Sequence, residues 1–318
     1  MEAFEVLEPG PYTTVQDLGR YGYQRLGIPV SGALDCFALR IANILVGNDQ
    51  NEAGLEITLV GLKLKALAST LIAITGANLE IELQDRVLPF WAASEVEKGQ
   101  VLNFRKIREG CRAYLAVAGG IDVPESMGSK STYVKGRLGG VEGRMLMKGD
   151  KIRIGDPIRS FQFVGRKFPP ELIPKSDGLL RIIMGPQAEI FEPSAIHRFF
   201  GSTYQVTRMA DRMGVRLKGP PLEFKKDIPR SIISEAVVPG CIQIPGDGIP
   251  IIVLLEQTVG GYAKVGTIIS SDLWKVGQAK PGDLLRFREV PLAEGILSLR
   301  SMERDISAFA SGVSKAED

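Results

Sequence analysis

The chain has one histidine in 318 residues. That count excludes a multi-histidine metal site, and a Ser-His-Asp triad would have to use His197. His197 lies in PSAIHRFF (193–200), whose apolar spacing reads as an amphipathic helix carrying a structural histidine. Cysteine is as sparse. Cys36, Cys111 and Cys241 are odd in number and far apart, which argues against a disulfide framework or a zinc site and for a reducing, cytoplasmic setting. No stretch reaches the roughly 18 continuous apolar residues of a membrane span. The opening MEAFEV lacks the basic-then-apolar layout of a signal peptide. An excess of one charge is missing too: 39 basic against 37 acidic residues leave +2, with no run of either sign to attract nucleic acid or anionic lipid.

Glycine and proline are plentiful, 36 and 19, and spread evenly. They punctuate short strand-like runs at 70–75, 79–83, 112–118, 179–184, 231–234 and 250–255. Helical patterns are few: 37–45 with Asp35 as N-cap, 270–276, and a C-terminal segment from about Leu292. A Gly-polar turn followed by an alternating strand recurs at 96–104, 147–154 and 280–287. The fold class expected is mainly β, as barrels or sandwiches with a few short helices. Residues 160–177 mix Gly, Lys, Pro and Phe and break both periodicities. This linker separates a first domain, 1–165, from a second, 178–318, whose helical tail ends in the polar SKAED.

The polar loops carry the chemistry. Between Thr13 and Asp35, the residues Gln16, Asp17, Arg20, Ser31 and Asp35 sit among four glycines with neither strand nor helix periodicity, as on a binding loop. GSKST (128–132) superficially resembles a phosphate loop, but Ser129 separates the glycine from Lys130, so a Walker-type nucleotide site is rejected. A basic, hydroxyl-rich turn of Ser129, Lys130 and Ser131 remains, suited to a carboxylate or carbamoyl group. The third glycine cluster, 136–144, carries Arg137 and Arg144 and reads as a solvated hairpin. In the second half, Asp211 and Arg212 adjoin in a turn. Gln243 and Gln257 flank an apolar strand beside glycines, where amide side chains suit a neutral urea, amide or lactam. Met147-Lys148-Gly149 has only one of the two methionines that flank a biotinylated lysine.

Taken in order, TTVQDLGRYGY (13–23), SGALD (31–35), YLAVAGGIDVP (114–124), GSKSTY (128–133), GPQ (185–187), DRMG (211–214), the SE-to-P segment 234–250 and GGY (260–262) resemble allophanate hydrolase subunit 2, the carboxyltransferase subdomain A and B family. Leu255, Val259, Ala263 and Lys130 stand where that family usually has Asp, Thr, Pro and Arg. The resemblance implies a tandem pair of cyclophilin-like β-barrels. It also implies a subunit of a cytoplasmic heteromeric enzyme, with a KipI-like subunit 1/B companion and a third subunit. The leading expectation is the branch formed by the C subunit of 5-oxoprolinase, opening a lactam to glutamate with ATP bound on another chain. The alternatives are a KipA-like regulator and a carboxyltransferase served by biotin on a separate carrier. No metal and no covalently held cofactor are expected on this chain. In the expected roles Arg20 and Lys130 bind a carboxylate, Gln243 and Gln257 hold the amide edge, and Asp35 or Tyr262 handles protons, with Asp17 as a further catalytic candidate. Gln16, Ser31, Ser129, Ser131, Asp211 and Arg212 complete the substrate-binding set.

Overall fold

A computed structural model describes residues 1–84, 86–157 and 160–314; most of the polar C-terminal SKAED lies outside them. The fold is mainly β, in two compact units. The first comprises Met1–Arg20, Ser31–Pro174 and the chain from Ile306, the second Tyr21–Val30 and Lys175–Asp305.

In the first unit, nine strands form one sheet: β1 (Glu2–Pro9), β2 (Tyr12–Gln16), β3 (Gly54–Thr58), β4 (Leu62–Ala66), β5 (Thr70–Leu83), β6 (Arg86–Val87), β7 (Ala92–Val96), β8 (Val101–Val117) and β9 (Lys151–Arg153). Their order is β2-β3-β8-β4-β1-β9, with β5 beside β8 and both β6 and β7 on β5. The early residues of β8 pair with β4 and its late ones with β3. Register shifts between Gly76 and Ile81 bend β5 along β8, as bulges do. The runs at 70–75 and 79–83, expected as separate strands, are therefore one strand of 14 residues bent in its middle. Alternating side chains such as Leu62, Leu64 and Ala66 turn to a core shared with Phe4, Ile57, Ile72, Phe104 and Leu115. Helix α1 (Cys36–Leu45) packs on this sheet, and Asp35 Oδ1 caps it by accepting from Ala38 N at 2.9 Å.

In the second unit, β10 (Leu179–Met184), β11 (Tyr204–Ala210), β12 (Gly214–Lys218), β14 (Cys241–Ile244), β15 (Ile251–Val253), β17 (Ala263–Ile268) and β18 (Leu284–Glu289) close a barrel. A separate ribbon joins β13 (Glu235–Ala236) to β16 (Val259–Gly260). Helices α2 (Pro193–Gly201) and α3 (Leu273–Gln278) belong to this unit; α4 (Leu292–Ser314) begins in it, and its residues from Ile306 count with the first. Phe199 of α2 stacks on Phe287 with centroids 4.5 Å apart, while His197 is on the helix's exposed face. Residues 231–234 are not a strand, contrary to their β-branched composition. Ile233 is 93% exposed, and without a packing partner β propensity does not hold a strand.

The recurring turn is real in all three places. Gln100 N, Asp150 N and Asp283 N donate to the carbonyls of Glu97, Met147 and Lys280, three residues back. The glycines between them, Gly99, Gly149 and Gly282, have φ of 94°, 91° and 99°, the third-position requirement of a type II turn. Each turn leads into a strand, β8, β9 or β18.

Candidate functional site

The loop between β2 and α1 and the segment after β8 are tied together by one carboxylate. Asp17 Oδ1 accepts from Gly19 N at 2.8 Å, Ser129 Oγ at 2.7 Å and Ser131 Oγ, and Oδ2 accepts from Lys130 N at 2.6 Å. Asp17 N in turn donates to Ser131 Oγ. Four donors occupy this carboxylate, which the sequence suggested for proton transfer; here it is the post that holds both loops. Gln16 is spent in the same way: its amide donates to Thr14 Oγ1 and Thr132 O and accepts from Gly32 N.

Arg20 is fully buried, with Nε on Ser126 O and Nη2 on Ser131 O, both at 2.8 Å, and no partner on Nη1 among the described residues. Burial pushes its guanidinium pKa down against the opposing pull of Asp17. Lys130 Nζ pairs with Glu52 at 2.5 Å. Ser31, at φ 55°, is fully buried, and its hydroxyl has no hydrogen bond among the described residues.

Beneath Asp35 lies a buried group that the sequence reading passed over. Glu56 Oε2 accepts from Tyr114 Oη at 2.7 Å and Leu34 N at 2.9 Å, and Tyr114 Oη accepts from Asp35 N at 2.8 Å. Burial, and then the nearby Glu56 and Asp35 carboxylates, push the Tyr114 hydroxyl well above the usual tyrosine range. A lone glutamate inside the apolar LEITL was the available signal, since a fully buried carboxylate requires partners.

The second unit assembles the other constellation. On β14 and β17, Gln243 and Lys264 are cross-strand partners at a register shift, where a bulge re-aims side chains. Both are buried, at 1% and 7% exposure. Lys264 Nζ pairs with Glu235 of the ribbon, and this hydrogen bond holds the Glu235 carboxyl below the usual range. Gln187 bridges the pair, donating to Glu235 Oε1 at 2.9 Å and accepting from Lys264 N at 3.1 Å.

Gln257 Nε2 donates to Val259 O at 3.1 Å and reaches Gln243 Oε1 at 3.4 Å. Gln243 Nε2 has no partner among the described residues. A Cβ on Gly260 would lie 2.1 Å from that nitrogen, so any side chain there would have to displace the Gln243 amide. The buried Gln243 NH₂ is thus left with both N–H donors unpaired among the described residues, beside the Gln257 amide.

Tyr262, 42% exposed, ends the same loop. Asp211 accepts from Met213 N and Gly214 N in its own turn. Arg212 is buried on Glu256, with Nε to Oε1 at 2.5 Å. Of the sequence candidates, then, Gln16, Asp17, Arg20, Ser31, Asp35, Ser129, Lys130 and Ser131 gather in the first unit. Gln243, Gln257 and Tyr262 lie together in the second, and Asp211 and Arg212 in its neighbouring turn. Glu235, Lys264 and Gln187 were missed; a lysine amid the apolar AKVGTI was the readable sign.

Residues 26–289 match the family model described as carboxyltransferase domain, subdomain A and B. The chain is 38% identical to the C subunit of 5-oxoprolinase from Escherichia coli (strain K12), over 96% of this chain and 97% of that protein. It is 37% identical to the urea amidolyase of Lachancea kluyveri over 92% of this chain, which spans only 17% of that longer protein. The crystal structure of the Kluyveromyces lactis urea carboxylase superposes with a TM-score of 0.92 at 35% identity, covering 98% of this chain and 29% of that one.

Proposed function

Because the chain belongs to the carboxyltransferase subdomain A and B family, we propose that it is one subunit of a heteromeric enzyme acting on a small amide, with ring opening of 5-oxoproline as its reaction. The observation that carries this reading is the amide pair in the second unit. A lactam edge offers a carbonyl and an N–H side by side; Gln243 Nε2 donates to the first and Gln257 Oε1 accepts from the second. The substrate carbonyl thereby supplies the acceptor that Gln243 lacks among the described residues. Lys264 and Glu235 flank the pair and hold charge beside it. ATP is bound and hydrolysed on a companion chain, and the enzyme is completed by a KipI-like partner and a third subunit.

Carboxyl transfer to urea is the second reading, favoured by the identity to urea amidolyases. Urea presents the same edge to the same two glutamines, and biotin would arrive on a separate carrier. The deciding experiment measures ATP-dependent glutamate formation from 5-oxoproline by the co-expressed subunits, with this chain present, omitted, or carrying Gln243→Leu. Turnover that needs this chain and is lost in the variant is the expected result. Turnover that continues without the chain overturns the proposal. A stable complex that is inert with 5-oxoproline but consumes urea and bicarbonate establishes the second reading.

A further inference from the structure

A cavity of about 530 Å³ opens in the first unit, between residues 121–126, residues 137–143 and β9. None of its residues belongs to the amide cluster of the second unit. Its size is that of a small-molecule site, and its aliphatic surface comes from the half-buried Val123, Leu138 and Val141, above the buried Ile121 and Ile152. The glycine cluster that the sequence presents as a solvated hairpin forms one wall.

That wall is rigid. Arg137, Gly139, Gly140, Glu142 and Gly143 all have φ between 50° and 69°. Gly143 N donates to Gly139 O at 2.8 Å and Gly140 N to Lys130 O at 2.9 Å. A Cβ on Gly139 would lie 2.8 Å from Arg20 Nη2, so the wall rests on the same buried arginine that ties the polar loops. Two non-glycine residues in the left-handed region persist only where their surroundings hold them.

Six charged residues line the cavity: Asp122, Glu125, Arg137, Glu142, Lys151 and Arg153. Four have partners. Arg153 faces Asp122 at 3.6 Å, Lys151 pairs with Glu5 at 2.8 Å, and Glu142 pairs with Arg144 at 3.1 Å. The side chains of Arg137 and Glu125, both exposed, have neither ion pair nor hydrogen bond among the described residues. One cation and one anion left over at an aliphatic pocket are complementary to a ligand bearing both charges on an apolar body. A plain carboxylate would leave Glu125 opposed to it, and a plain amine would leave Arg137 so.

We propose that this pocket binds a small aliphatic zwitterion of the α-amino-acid type, its carboxylate on Arg137, its ammonium on Glu125 and its side chain against the aliphatic walls. The test titrates the full-length chain with L-leucine, with 4-methylpentanoate, which lacks the ammonium, and with 3-methylbutylamine, which lacks the carboxylate. Binding is read from the NMR amide signals of Gly139, Gly140 and Gly143. Leucine should bind about tenfold more tightly than either half-ligand, the scale of one charge-assisted hydrogen bond. Arg137→Gly, which relieves the positive φ and so keeps the fold, should reduce leucine to the affinity of the amine. Glu125→Gln should reduce it to that of the acid. Leucine that moves none of the three signals at millimolar concentration, or binds no more tightly than a half-ligand, or is indifferent to both substitutions, overturns the assignment.

Discussion

A buried amide nitrogen without an acceptor is destabilising by about 1–3 kcal/mol, and Gln243 Nε2 is in that condition beneath Gly260. Gln243→Leu, close in volume, should therefore raise stability by about 1 kcal/mol while abolishing turnover of the assembled enzyme. Urea unfolding and the glutamate assay check the two halves separately, and a variant less stable than the parent shows that the amide is structurally satisfied. Asp17 makes the opposite case. Its oxygens accept from four donors, so Asp17→Asn sets an NH₂ among N–H and O–H groups. A loss of about 3 kcal/mol is expected, the range for disrupting a charge-assisted buried network. If the urea midpoint of Asp17→Asn stays within error of the parent, the two loops are held by something else. Gln16, Asp17 and Gln243 were legible as polar residues out of place among glycines. What each does was not, because a carboxylate that ties loops and one that moves protons look alike until their partners are known.

At the scale of elements, local chemistry was readable where it is self-contained and lost where packing decides. The three glycine turns and the cap of α1 depend on residues within four positions of one another, and each forms as its sequence dictates. The bend joining 70–75 to 79–83 into one strand depends on register with β8, which no local pattern records. The barrel of the second unit offers a measurement at this scale. Tyr204 on β11 packs on Phe199 and Phe287 and donates its hydroxyl to Pro220 O at 2.9 Å.

Burial pushes that hydroxyl up to about 12, against about 10 in an unfolded chain. The fold prefers the neutral phenol, so this contribution is whole below about pH 10 and is lost as pH rises toward about 12. Tyr204→Phe cannot titrate. The stability gap between parent and Tyr204→Phe, read by urea unfolding, should be constant through neutral pH and narrow steadily above about pH 10. A gap of unchanged width across that window means that Tyr204 ionises as freely in the fold as outside it.

Across the whole molecule, the first unit is not one continuous piece of chain: it takes residues up to Arg20, those from Ser31 to Pro174, and the end of α4 from Ile306. A boundary drawn from composition at 160–177 follows the change of periodicity along the chain and has no means of reporting that the last helix contributes to a core formed some 130 residues earlier. The contribution is aromatic. Phe309 meets Phe168 edge-on with centroids 4.9 Å apart, Phe168 lies 5.5 Å from Trp91, and Ile306 is fully buried. Each unit holds one of the chain's two tryptophans, Trp91 in the first and Trp274 in the second. In a Trp274→Phe background the fluorescence of Trp91 therefore reports the first unit alone. Phe309→Ala removes a partly buried ring from that stack and should lower the stability read at Trp91 by about 2 kcal/mol, below the 3–5 typical of a fully buried phenylalanine. Phe309→Leu should recover most of the loss, since aliphatic volume replaces the ring without its edge-on geometry. Equal stability of all three proteins would mean that the Phe309 ring adds nothing to the core it abuts. Counting the end of α4 with the first unit would then have no energetic content at Phe309.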